Sequence, residues 1–534
     1  MPSVLWFTLI AIWGGWALPA VSQAAVGCGQ PAQTYLSLRL ETDSNGPQTF
    51  SLHDTTGRRN LPIVSTRDPL AITQLEANVR FRKVPNGVNA EVTLRNPESM
   101  PLALGSIRIS GIQLPREIKV VDVGGYANAR PKRAQTSATQ PFYLASEWEY
   151  PNHAYSPVQV ISSDTYHFAT SLLYPLLEYR HPVSVLLWWL DGRQWVMDYV
   201  LEGNLAPGET RNYEIALRVI PVNKPWIHGL RPYRDYFREK YGSVRYERDG
   251  DPVLPFMIAE PGHIDVQNNP RGFTYGPRRP DRRGWLGWSN HLREQEPLGY
   301  HRTMLWAPSG LFDRSPYNYP FQFASGMFFT PLMNATASLL RAASEATQVS
   351  LGLWWGRSTQ IMRTWNPTEV TPLNLTDPST TAAAFREMDI AYYELGAREI
   401  GLDAYCYQPP GANGVDWPCF RWLEMLRSRY PEARFITEAR QSDLMHLLSP
   451  TFYFRGGQSA ERWPTEPNRI ADLVVPGHES WVDVSYQMSQ SDRFRLAADG
   501  YTIVLFADGE PSHRKYRASR SWRKTIPSDL RECD

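Results

Sequence analysis

From residue 252 onward, short apolar runs alternate with segments whose apolar residues recur at helical spacing. No other feature of the chain constrains its fold so strongly. The strand-like runs are 253–259, 301–306, 349–354, 400–405, 434–437, 451–454, 472–475 and 501–506. Helical segments at 335–347, 381–396, 417–430 and 485–498 fall between them. Strands separated by a helix pair in parallel, with the helix as the crossover. Eight such runs over residues 252–512 match the length of a (β/α)8 TIM barrel.

The first part of the chain reads differently. Thr34-Tyr-Leu-Ser-Leu-Arg-Leu40, residues 75–82, 88–94 and 106–112, and 212–219 alternate with period two, and Asn86-Gly87 marks a hairpin. An N-terminal antiparallel β-sandwich over 29–222 is the expectation. A helical linker over 223–251 follows, with an amphipathic stretch from 230 to 241 and Gly242 as its stop. A basic tail, 513–534, closes the chain and is expected to pack under the barrel or stay solvated.

The balance of 55 Lys and Arg against 54 Asp and Glu leaves +1, so no whole-chain field points to nucleic acid. Residues 4–18 form an apolar run followed by Ser22-Gln-Ala24, small residues at cleavage spacing; residues 1–24 read as a secretory signal. That run is short for a membrane span of ~20 residues. The expected location is secreted, periplasmic or extracellular. Ala25-Val-Gly-Cys28 resembles a bacterial lipobox, which leaves a lipid anchor at Cys28 as a minor alternative. Four cysteines suit an exported chain, with 28–533 and 406–419 the favoured pairings of three. No CxxC, HExxH or Cys/His cluster predicts a metal, and no cofactor is expected.

A parallel barrel does its chemistry at the carboxyl ends of its strands. Asp403 in Ile400-Gly-Leu-Asp403-Ala-Tyr405 and Glu438 in Phe435-Ile-Thr-Glu438 end two consecutive strands and form the leading catalytic pair. Two carboxylates across a cleft can cleave a glycosidic bond, one attacking the anomeric carbon while the other protonates the leaving oxygen. Trp306, Trp355, Arg357, Tyr405, Arg455, His478, Glu479 and Asp508 are candidate substrate-binding residues at the same rim. Arg and His would donate to sugar hydroxyls, and Trp would stack on a ring face. Arg271, Arg278, Arg279, Arg282 and Arg283, interleaved with aromatics, read as a solvated loop or as a site for carboxylated or sulfated sugars.

With an Asp ending strand four behind a sandwich, the chain resembles retaining glycosidases of the α-galactosidase and α-glucosidase type. That resemblance implies a nucleophile role for Asp403. The α-amylase type places its acid/base Glu at the end of strand five, which matches Glu438, but it has Arg where this chain has Gly401. It also has a His-Asp pair after strand seven, where this chain has His478-Glu479. β-Glycosidases with a strand-seven Glu would use Glu479 instead. The expectation is an exported O-glycosyl hydrolase acting on a polysaccharide or glycan. A non-catalytic carbohydrate-binding or envelope protein on the same scaffold, and a polysaccharide lyase, are the competing readings.

Overall fold

The computed structural model describes residues 34–42, 50–54, 60–64, 72–112, 114, 116–121, 123, 143–190, 194–257, 290, 292–294, 296–306, 341–342, 344–347, 349–355, 358–362, 370–405, 417–439, 442–453, 469–485, 488–506, 516–519 and 526–530. Between residues 34 and 221 the alternating stretches form two facing sheets. One runs in the order Phe50–Asp54, Thr34–Thr42, Ser106–Ile112, Gln194–Leu201, Val183–Leu190, Tyr143–Tyr150. The other runs Asn60–Val64, Ile72–Val84, Gly87–Arg95, Thr210–Pro221, Tyr166–Leu173, Val158–Ser162, Lys119–Val120. Ile107, Ile109 and Tyr199 of the first share a core with Val92, Ile215 and Leu217 of the second. The Thr170 hydroxyl reaches Met197 Sδ across the gap at 3.3 Å. Asn86 takes a positive φ of 60° at the predicted hairpin, a conformation Asn tolerates better than most residues. One pairing departs from the antiparallel expectation: Thr34–Thr42 runs parallel to Ser106–Ile112.

The predicted linker helix is Arg231–Tyr241, stopped by Gly242 at φ 82°. Beyond it lies an eight-stranded sheet, whose strands we label β1 (Leu254–Met257), β2 (Arg302–Trp306), β3 (Ser350–Trp355), β4 (Glu399–Tyr405), β5 (Arg434–Ala439), β6 (Thr451–Tyr453), β7 (Ser480–Ser485) and β8 (Thr502–Phe506). Neighbours in sequence are neighbours in space, and every pairing is parallel. Val253, just before β1, bridges Val504 in β8; its N–H donates to Ile503 O and its C=O accepts from Leu505 N, both at 2.9 Å. The sheet therefore curves until its first and last strands meet.

Seven predicted strands coincide with observed ones, but 472–475 does not. Helix Arg469–Val474 covers most of it, and the seventh strand is Ser480–Ser485. Helix Pro418–Arg429 carries β4 to β5 with Pro in its opening turn, where no N–H is missed. Gln490–Ala498, capped by the Ser489 side chain on the Asp492 N–H, carries β7 to β8. Of the basic tail, Ala518 N donates to Gly250 O and Tyr516 packs on Phe494, beside the amino end of the parallel sheet.

The two halves meet at helix Asp443–Leu448, which follows β5. Asp443 is buried and accepts from the hydroxyls of Tyr150 (2.8 Å), Ser156 (2.8 Å) and Tyr233 (2.6 Å) and from the Leu444 N–H (2.7 Å). Sandwich, linker helix and parallel sheet thus converge on one carboxylate, and burial pushes its pKa up to about 6 against those donors. One turn on, His446 contacts the Tyr155 hydroxyl through Nδ1 (2.9 Å) and the Thr451 hydroxyl through Nε2. Its ring stacks on His478 with centroids 4.7 Å apart, and Asp472 lies 3.7 Å from His478 Nε2.

Burial, then the neighbouring His478, drives the His446 pKa well down. Burial, then Arg248, lowers His478 to about 4. Unfolded, each histidine takes up a proton near 6.5, so the unfolded chain binds more protons between there and about 4. Stability supplied by the neutral rings is therefore lost as pH falls through that window, while Asp443 opposes part of the loss. For His478 alone the effect is on the order of 3 kcal/mol. Urea unfolding between pH 7.5 and 4.5 is expected to show falling stability, with a shallower slope in His478→Gln. A slope unchanged in that variant would contradict this assignment.

Candidate active site at the carboxyl end of the parallel sheet

Successive side chains of a strand face opposite sides of the sheet, so parity decides which residues enter the curved interior. In β3, Leu351, Leu353 and Trp355 join the large outer core shared with the helices. Trp354 instead joins Val253, Met304, Ile436, Phe452, Trp481 and Val504 in a separate small cluster. Those residues come from six strands and the bridge before β1, so the cluster marks the interior. On the same parity β4 sends inward Glu399, Gly401 and Asp403, and β5 sends inward Arg434, Ile436 and Glu438.

The interior is layered. At the amino end, Arg302 grips Glu399 with Nε–Oε1 2.7 Å and Nη2–Oε2 3.2 Å, and Arg434 is paired with Glu479. Glu479 also accepts from Trp481 Nε1 (2.7 Å), the Thr502 hydroxyl (2.8 Å) and the Asp249 N–H (3.2 Å). Burial alone would raise the Glu479 pKa, but Arg434 and then Arg302 outweigh it and hold it at about 2. In the middle layer the Trp354 indole lies over Gly401 and meets Phe452 edge-on at 5.2 Å. A Cβ on residue 401 would sit 1.8 Å from Trp354 Cε3, which explains glycine two positions before Asp403.

Asp403 and Glu438 form the carboxyl-end layer. Leu402 pairs with Thr437 and Tyr405 with Ala439, so Asp403 and Ala404 together face the single residue Glu438. Such a bulge bends its strand and re-aims side chains, and is over-represented beside active sites. Asp403 is buried (7% exposed) and its Oδ1 accepts from Trp354 Nε1 at 3.2 Å. The Ser358 N–H and hydroxyl donate to the Asp403 backbone carbonyl at 3.4 and 3.3 Å. Glu438 is half-buried. Two carboxylates on adjacent strands occupy this layer, one enclosed and one more open.

Four predicted rim residues lie elsewhere. Glu479 precedes β7 at the amino end, fully buried in the ion-pair network, because the true seventh strand begins where a rim loop was expected. His478 stacks on His446 at the junction with the sandwich. Trp355 has the wrong parity and is buried against the helices, and Tyr405, also outward, donates its hydroxyl to Cys419 O. Trp306 ends β2 opposite Met257, with its backbone alone described. Arg357, Arg455, Asp508 and the arginine-rich loop lie outside the described residues. The strand pattern missed Trp354, one residue from the Trp it selected.

No known family matches this sequence, and no curated protein does. Among solved structures the chain is similar to an α-galactosidase from Lactobacillus brevis, at TM-score 0.49 and 12% identity, over 94% of this chain and 73% of that one. An α-N-acetylgalactosaminidase from Bifidobacterium bifidum matches at TM-score 0.48 and 12% identity, over 92% and 84%. A glycoside hydrolase family 97 enzyme from Pseudoalteromonas matches at TM-score 0.41 and 10% identity, over 93% and 74%.

The amino-end network yields a stability prediction. Glu479→Gln removes one of the two carboxylates that Arg302 and Arg434 share, and breaking a buried pair costs roughly 3–5 kcal/mol. Urea unfolding is expected to show a loss of that order; a loss under about 1 kcal/mol would mean the network is dispensable.

Proposed function

We propose that the chain is an exported glycoside hydrolase, in which a β-sandwich precedes a complete (β/α)8 barrel and two carboxylates cleave a glycan with retention. The observation that carries this reading is the placement of Asp403 and Glu438 side by side at the carboxyl ends of β4 and β5. Adjacent strands run about 4.8 Å apart. That spacing favours the ~5–5.5 Å carboxyl separation of retaining enzymes over the wider gap that admits a water for inversion. Buried Asp403, held by an indole N–H, suits the nucleophile; half-buried Glu438 suits the group that exchanges protons.

In the first step an Asp403 oxygen bonds to the anomeric carbon as the glycosidic C–O bond breaks, and Glu438 gives its proton to the leaving oxygen. In the second, Glu438 takes a proton from water, the hydroxide attacks the anomeric carbon, and Asp403 leaves as carboxylate. No step needs a cofactor. Cys419, buried at the start of helix Pro418–Arg429, is in a disulfide, which supports an oxidising compartment; Cys406, outside the described residues, is its proposed partner.

Wild type incubated with a glycan panel is expected to release new reducing ends. Asp403→Gly should lower turnover by more than about a thousandfold. Added azide should restore turnover by attacking the anomeric carbon in the carboxylate's place, and Glu438→Gln should fail most on substrates with poor leaving groups. Binding without release by wild type would favour the carbohydrate-binding alternative. A product absorbing in the ultraviolet would favour a lyase.

A further inference from the structure

We propose that Trp354 is the positioning residue for the nucleophile: its indole N–H fixes the plane of the Asp403 carboxylate. This rests on the reading of Asp403 as nucleophile. Three observations meet at this point. Trp354 Nε1 donates to Asp403 Oδ1 at 3.2 Å, so one of the two oxygens is engaged from below and rotation of the carboxylate is restricted. The indole is itself held rigidly. It is 2% exposed, sits in the interior cluster edge-on to Phe452, and lies over Gly401, where any larger residue would collide with the ring. The Asp403 backbone is fixed as well, its carbonyl accepting from both donors of Ser358 within the bulged segment of β4.

The chemistry of the donor matters. An arginine here would hold the carboxylate by full charge and lower its nucleophilicity, as Arg302 and Arg434 hold Glu479 at the other end of the same interior. An indole N–H is neutral and cannot lose or gain a proton in the working range. It orients the carboxylate without neutralising it. Gly401 is thus part of the same device, since the nucleophile's own strand makes room for the ring that orients it.

The test replaces Trp354, by nonsense suppression, with 3-benzothienylalanine, which keeps the bicyclic shape but exchanges N–H for sulfur, and separately with 5-fluorotryptophan, which keeps the N–H. Kinetics are read on the p-nitrophenyl glycoside of the sugar that wild type releases, alongside thermal melting. The benzothienyl protein is expected to lose kcat by about tenfold to a hundredfold with KM within about twofold, as loss of a hydrogen bond to a charged group implies. The fluorotryptophan protein should keep wild-type kcat, and both should melt near wild type. Equal kcat in the two variants, whether both high or both low, would overturn the proposal, since ring packing alone would then account for Trp354. Asp403→Gly, assayed with and without azide on the same glycoside, separates this from the parent reading. If that variant retains full turnover, the nucleophile assignment fails and the inference with it.

Discussion

Glu399 and Glu479 are buried inside the amino end of the eight-stranded parallel sheet, and a charge cannot remain there unpaired. Arg302 from β2 and Arg434 from β5 meet this demand, with Thr502 of β8 and Trp481 of β7 completing the shell. One network therefore ties together five strands, β2, β4, β5, β7 and β8, and fixes their register. Through that register it fixes everything further along the strands: once Glu399 is set inward, so are Gly401 and Asp403, and once Arg434 is set inward, so are Ile436 and Glu438. The candidate catalytic carboxylates stand where they do because other carboxylates are anchored two layers down.

The interior is consequently polar at both ends. At the amino end two acids are compensated by guanidinium groups, and Glu479 is held ionised far below its ordinary range. At the carboxyl end Asp403 meets an indole donor, and the bulge of β4 sets Asp403 and Ala404 opposite Glu438 in the strand register. Between them Trp354, Phe452 and Trp481 form an apolar plug. The Asp443 and His446 cluster belongs to neither end; it joins the sandwich to the sheet through buried hydroxyls and stacked imidazoles.

Much of this was legible in the sequence, and the failures have a common cause. Apolar runs bounded by helical segments locate seven of the eight strands, because a strand buried on both faces is apolar over most of its length. Asp472-Leu-Val-Val475 has the same composition but continues Ile470-Ala471 at helical spacing, and it folds as the end of a helix. Ser480-Trp-Val-Asp-Val-Ser485 alternates in polarity and so lacks the continuous apolar run; without it as a strand, His478 and Glu479 fall at the wrong end of the sheet. Side-chain parity was the second gap. Trp354 and Trp355 are indistinguishable by composition, and only the ladder to Gly401 and Leu402 shows which one enters. Gly401 was visible as a departure from a family pattern, but its reason is steric and appears only with the ring above it.

Covalent catalysis requires the two acids on neighbouring strands to stand close together, and product stereochemistry reads that directly. Proton NMR of the first product formed from a glycan that wild type cleaves, recorded before mutarotation, reports the configuration at the anomeric carbon. The geometry predicts the same configuration as in the substrate. An inverted first product would mean that a water, and not Asp403, attacks the anomeric carbon, and would contradict the assignment.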